Sequence, residues 1–591
     1  MKHDIIYMLG LGMAFMLSLG SCSDFLEIEP QDRITLEKFW NEKGDVEAII
    51  SGTYNLIAAY DVTARMLVWG EFRSENVVDN QSTLEDLDLQ KFMKENINAN
   101  NNYTRWVALY TVINRCNTVI HYAPGIAAKD PSYRESEVHA HIAEVTALRS
   151  LMYFYLIRAF RNVPYTSTAY LEDSQKMDIP ASSFDAVLDS CIQSLESVKG
   201  WALTAYPADA TGDAVNFNTG RVTRSMIYAL LCEMYLWKKD YHQCINYADL
   251  LIEEKKKEAK EKYGYSETDF TDFNGYPLIA SRQTVLGSPR YGYAFNQIFV
   301  SGNSMESIFE INYNKEPTER EKQLSNVAIG DIYGGSGHSP RVTYSTWIGN
   351  DSKDDNNQVF GKADIRAKEN MYLSAAFISK YTLMSSPAQT GSTSAAKNLT
   401  YLGTLAQYPT TNSGKTSLNK SNFIIYRISD IMLLKAEALT QLMKDNQTTL
   451  DDVDKAYRDE AFGLVDAVNK RSMCYTTASV TTSPDVLNVA NYDTKEKITN
   501  LVYEERHREL MFEGKRYFDL VRRSLREGNV EYLKNNVLHK DVNLRSAINA
   551  TMKDLNGIFL PYHIDELKVN TNLTQNPAFP SGENSSYTST N

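Results

Sequence analysis

Along most of this chain apolar residues recur with a helical period. Val46, Ile49, Ile50, Thr53, Tyr54, Ile57 and Ala58 fall at i, i+3, i+4 and i+7, which predicts one buried helical face. Residues 71–103 turn polar and Asn-rich, the pattern of a loop-like insertion, and a helix is expected over 106–122. The strongest stripe, over 142–160, runs through Ile142, Val145, Arg149, Met152, Tyr153, Leu156 and Phe160. Asn162-Val163-Pro164 ends it, because the residue before a proline avoids the helical region. Residues 222–237 and 241–253 read as two helices joined at Lys238-Lys239-Asp240, a connection short enough to force an antiparallel hairpin. A similar hairpin is expected from 428–443 with 453–470, and a last helix from 497 to about 523. Residues 254–422 differ, with short β-branched and aromatic runs such as 307–313, a Gly-rich stretch at 334–337 and a Ser/Thr/Asn-rich one over 385–422. These read as long loops with small strands, which in a helical protein point to function.

The run Tyr228 to Trp237, with Asp240-Tyr241 and Ala248, resembles a tetratricopeptide unit. Repeats of this kind cannot bury their faces alone, so the expected fold is mainly α: tetratricopeptide-like hairpins stacked into a scaffold that carries a loop-rich region with small β elements. The expected division is an N-terminal helical part (22–253), a loop-rich ligand-side region (254–422) and a C-terminal helical part with its tail (423–591).

Composition narrows the function. Of 591 residues, 61 are Lys or Arg and 74 Asp or Glu, a net charge of −13, which argues against nucleic acid as a partner because neutralising phosphates needs a basic excess. The 37 tyrosines are amphipathic rings suited to contact surfaces that stay wet. Residues 5–20 form an apolar segment too short to span a bilayer and read as the core of a signal peptide, 1–21. It ends in Leu19-Gly20-Ser21-Cys22, the pattern of a lipobox, so Cys22 is the expected acylated N-terminus of a lipid-anchored protein. The remaining Cys116, Cys191, Cys232, Cys244 and Cys474 are odd in number and scattered, which is no disulfide framework, and none has zinc-ligand spacing. Cys116 and Cys232 are read as small core residues.

With these motifs the chain resembles the SusD/RagB family of outer-membrane nutrient-binding lipoproteins. The resemblance lies in Phe25 to Pro30 and Ile34-Thr35 after Cys22, and in Gly52 with Tyr54. It continues in Glu144-x-x-x-Leu148-Arg149-x-x-x-Tyr153 with Val163-Pro164, although Arg161 stands where glycine is usual. Arg427 to Ala438, Glu505 to Arg522, Leu560-Pro561 and Gln575-Asn576-Pro577 complete it, with departures at Tyr562-His563 and Ala578-Phe579. The resemblance implies a lipid-anchored protein at the outer membrane, no catalysis, no cofactor, a SusC-like TonB-dependent transporter as partner, and a glycan or other nutrient as ligand.

Three places in the chain carry candidate chemistry. Glu505, Glu509 and Glu513 lie at i, i+4 and i+8 among Arg506, Arg508, Arg516 and Arg522. Neighbouring guanidiniums hold carboxylates ionised, so these predict an ion-pair lattice rather than the acid and nucleophile of a glycosidase. Asp351, Asp354 and Asp355 offer oxygen ligands but lack the order and turn glycine of an EF-hand, and read as a solvated loop. Glycan binding needs ring faces for sugar C–H patches and amides, carboxylates or Arg for hydroxyls. The loop candidates are Trp69 and Arg73, Asn101 and Tyr103, Tyr293, and Tyr333, Tyr344 and Trp347. The sequence supports uptake of a glycan first, uptake of a peptide along an extended groove second, and a surface hydrolase third.

Overall fold

The computed structural model describes residues 39–579 apart from 81–85, 173, 208–217, 286–287, 314–325, 335–339, 349–358, 362, 373–376, 383–418, 420, 448 and 474–485. The leader, Cys22, Gly335, Gly337, Asp351, Asp354, Asp355 and Cys474 lie outside the described residues.

Helices dominate. α1 (Lys43–Ile57) buries Val46, Ile50, Thr53 and Ile57, the face its periodicity predicts. It is followed at once by α2 (Tyr60–Glu71), in which every residue from Val62 onward is buried. α3 (Val107–Ala127), α4 (Glu135–Phe160) and α5 (Phe184–Val198) pack in succession. α4 stops where Arg161 takes a left-handed backbone, φ 70°, which explains why a glycine suits this position. α6 (Arg224–Lys238) and α7 (Tyr241–Tyr263) form the expected hairpin: Lys239 turns at φ 68° and the Asp240 carboxylate accepts from the Gln243 N–H. α8 (Ile428–Leu442) and α9 (Asp452–Ser472) form the second, and α8 packs against α6, α7 and the next helix, α10 (Lys495–Leu510). The tetratricopeptide-like stacking read from the sequence is thus the architecture found.

Three boundaries differ from expectation. α7 runs ten residues past 253, through the division placed there, because Lys255–Glu258, Lys262–Glu258 and Lys256–Glu253 pairs tie its successive turns while Leu251, Ile252, Lys255 and Ala259 stay buried. The single helix expected over 497–523 is two, α10 and α11 (Arg516–Glu527), broken by left-handed backbone at Phe512 (φ 67°) and Gly514 (φ 72°). The described part of the insertion over 71–103 is not all loop: it holds strand β1 (Val77–Asp79) and a short helix, Leu87–Met93.

The strands pair antiparallel in twos. β2 (Ser307–Ile311) lies beside β4 (Phe423–Arg427), which leads straight into α8 and so joins the loop-rich region to the C-terminal helices. β1 lies beside β3 (Val342–Tyr344), with Val77 opposite Tyr344.

Candidate functional site

The site is built at the end of α7. Gly264, at φ 72°, stops the helix and leaves Tyr263 and Tyr265 flanking the turn. Tyr265 stacks on Phe270 with ring centres 5.7 Å apart. Between them the Asp269 carboxylate accepts from the Ser266 hydroxyl and from the Ser266 N–H, each at 2.7 Å, which fixes the loop and holds this carboxyl below its ordinary range. The opposite wall comes from Tyr293, whose N–H donates to the Ser281 carbonyl, and from a π-helical turn, Asn296–Ser301, that carries Gln297. Gly302, at φ 66°, then turns the chain; a Cβ there would stand 2.6 Å from the Asn422 amide nitrogen. The Glu310 carboxylate receives the Asn303 N–H at 2.9 Å.

These elements enclose an open cleft of about 350 Å³ lined by Tyr263, Tyr265, Tyr293, Asp269, Gln297 and Asn303. Its volume is at the lower end of the ~300–1,000 Å³ usual for small-ligand sites. Tyr263 is 38% exposed, and its partial burial pushes the phenol up to about 12, so it stays a neutral donor and acceptor at physiological pH. The Gln297 side-chain amide has no partner among the described residues. The cleft therefore offers aromatic faces beside an unengaged amide and a fixed carboxylate, the combination that recognises a polyol with alternating apolar and hydroxylated faces.

Of the eight residues singled out from the sequence, Tyr293 alone lines this cleft. The expectation of exposed loops fails for six. Trp69 lies inside α2, 2% exposed, its indole donating to the Tyr103 carbonyl at 2.7 Å. Arg73 is buried between the Glu95 carboxylate and the Gly557 and Ile558 carbonyls. Asn101 bonds the Asp88 carbonyl, and the Tyr103 hydroxyl donates to Asp86 at 2.7 Å. Tyr333 is buried between Phe72 and Phe512, and Tyr344 is buried in β3. Arg73, Asn101 and Tyr103, half of the six, lie in the supposed loop at 71–103, which the C-terminal tail clamps where Lys540 donates to the Phe72 and Met93 carbonyls. Trp347 is half-buried, stacked on His539 with ring centres 4.4 Å apart and planes 10° from parallel.

Tyr263, Tyr265, Asp269 and Gln297 escaped sequence reasoning. A signal existed: Gly264 after a Lys-rich helix is a helix stop, and it places two tyrosines at an exposed terminus.

The ion-pair lattice is present and buried. Burial by itself raises the Glu509 carboxyl, but Arg471, Arg427 and Arg366, all hydrogen-bonded to it, outweigh that and hold it well below its ordinary value. Glu505 is lowered likewise by Arg366 and Arg508, and Glu513 by Arg427 and Lys380, against the opposing effect of burial. Glu369 at its edge goes the other way: burial pushes it up to about 8. Among the described residues no group of His, Cys, Asp or Glu is placed to hold a metal, and no helix is long and apolar enough to cross a membrane.

Comparison with known proteins places this architecture. A profile described as "Starch-binding associating with outer membrane" matches residues 24–259 and one described as "SusD family" matches 305–579. "SusD-like protein P38" of Formosa agariphila is 24% identical, the alignment covering 95% of this chain and 97% of that one. A SusD superfamily protein from Bacteroides vulgatus superposes with a TM-score of 0.60 at 16% identity, over 92% of this chain and 100% of that chain. Surface glycan-binding protein A from Bacteroides thetaiotaomicron, solved in complex with laminarihexaose, gives 0.58 at 18% identity, over 91% and 100%.

Proposed function

The chain belongs to the SusD/RagB family, and on that premise we propose that it is a cell-surface glycan-binding lipoprotein that passes oligosaccharide to a SusC-like TonB-dependent outer-membrane transporter. The cleft between Tyr263, Tyr265 and Tyr293 carries the reading, because it pairs ring faces with the unengaged Gln297 amide and the Asp269 carboxylate. Support for a glycan comes also from the laminarihexaose complex of a protein with this fold. The lipobox at Cys22 and the outer-membrane description of the N-terminal profile support anchoring there. Binding without turnover is favoured because Glu505, Glu509 and Glu513 are buried and held ionised by cations, so none of the three is an acid able to protonate a leaving group.

Trp347 is the other half-exposed ring of the original set and the alternative platform. The test is an oligosaccharide array on the soluble body beginning at Ser23, followed by calorimetric titration of Tyr293→Ala and Trp347→Ala. Losing a ring that carries a sugar costs at least about 1.4 kcal/mol, a tenfold loss of affinity. A tenfold loss in Tyr293→Ala with a preserved melt is the expected result. The same loss confined to Trp347→Ala moves the site to that ring, and full affinity in both variants refutes both platforms.

A further inference from the structure

Cys232 on α6 and Cys244 on α7 belong to the scattered set that the sequence reads as no disulfide framework, yet the hairpin brings them face to face. Both are fully buried, and their sulfurs lie 3.7 Å apart. The Cys232 thiol also points at the Cys244 carbonyl, at 3.4 Å, so its side chain is already turned toward its neighbour. A disulfide needs the sulfurs at about 2.05 Å, so closing the bond brings the two sulfurs nearer by a little under 2 Å. Among the described cysteines, Cys116 and Cys191 show no such contact and lie near Arg149 instead.

We propose that in the exported protein Cys232 and Cys244 are joined by a disulfide that staples the α6–α7 hairpin, the oxidant being the disulfide of a thiol–disulfide oxidoreductase. The inference rests on the export reading above, since such bonds persist outside the cytoplasm. The Cys232 thiolate attacks the donor disulfide and displaces one donor sulfur, giving a mixed disulfide. The Cys244 thiolate then attacks the Cys232 sulfur and the second donor sulfur leaves. Two thiol protons are released to solvent or donor, and two electrons reduce the donor to its dithiol. Burial holds the Cys232 thiol far above its ordinary value, so exchange is slow once the hairpin is packed and the bond forms while the chain folds.

The test expresses the chain with its leader, recovers the protein from outer membranes and denatures it in iodoacetamide without reductant. Peptide mapping should find Cys116, Cys191 and Cys474 alkylated, and Cys232 and Cys244 alkylated only after reduction. Reductant should lower the melting temperature of wild type and leave that of Cys232→Ala unchanged. In parallel, denatured reduced chain is refolded in a mixture of glutathione and its disulfide, which should yield the same cross-linked peptide. Retention of the chain in the cytoplasm refutes export alone, and the refolding arm then decides on the pair. Alkylation of both cysteines in exported protein, or in refolded protein where export fails, overturns the proposal.

Discussion

Replacing Glu509 by Gln keeps the shape of the side chain and deletes its charge inside the buried lattice. Around it, Arg366, Arg427, Arg471, Arg508 and Lys380 face Asp364, Glu306, Glu505, Glu509 and Glu513. Glu369 is neutral at pH 7, raised to about 8 by burial, so the two signs balance in wild type. Glu509→Gln leaves one buried positive charge without a counterpart, and the amide cannot accept from three guanidiniums with the strength of a carboxylate. Breaking a buried pair costs ~3–5 kcal/mol, a large share of the ~5–15 kcal/mol that holds a protein folded. Glu253→Gln is the control: its partner Lys256 is 2.9 Å away, but the Glu253 side chain is 72% exposed, and such pairs contribute ~0–1 kcal/mol. Urea unfolding followed by tryptophan fluorescence compares the midpoints. The reasoning fails if Glu509→Gln shifts the midpoint no further than Glu253→Gln. It fails also if wild type releases reducing ends from its glycan and Glu509→Gln does not, which would make the lattice catalytic.

Gly70→Ala should be among the most disruptive single-atom additions, because its Cβ would lie 1.7 Å from the Gly514 carbonyl oxygen; overpacking of this kind costs ~1–3 kcal/mol or more, read as a lowered melting temperature. Glu369→Gln tests a pH dependence. With a folded value of about 8 against an ordinary 4.5, Glu369 contributes stability that is full below 4.5 and lost as pH rises through 8. The variant should therefore gain on wild type as pH is raised from 5 to 9 in parallel melts, and an identical pH profile would show Glu369 to be ionised throughout. Cys22→Ala should leave the soluble body folded and release it from the outer-membrane fraction; a variant that still pelleted with outer membranes lacking the transporter would rule out the lipid as the main tether.

The helices were legible because burial of one face imposes a period that survives in the sequence, as in α1 and α4. Breaks inside an unbroken pattern were not. The run from Glu505 to Arg522 stays helical in periodicity across Phe512 and Gly514, and what bends it is Glu71, whose carboxylate accepts the N–H groups of Phe512 and Gly514 at 3.1 Å. Burial of the polar insertion was hidden for the same reason. Arg73 and Asn76 read as surface residues until their partners at Gly557 and Glu71 are known. The cleft was half legible: Tyr293 was found, while Tyr263 and Gln297 depend on how a helix end and a π-helical turn meet across an open space.

The clasp between α2 and the α10–α11 break has a consequence for how the chain reaches its native state. Glu71 and Glu75 wait for Phe512, Gly514 and Arg516, contacts separated by more than 440 residues, and Arg73 waits for Gly557 and Ile558. A polypeptide emerging N-terminus first must keep these buried-to-be charges solvated until nearly its whole length has arrived. High contact order of this kind makes folding slow and the waiting chain prone to aggregate. Removing the last helix and tail therefore does more than shorten the molecule, since it strips the partners from an N-terminal segment already synthesised. The closure that keeps α2 in place draws on residues from both ends of the chain, so the N-terminal third acquires its final stability only when the C-terminal third docks on it.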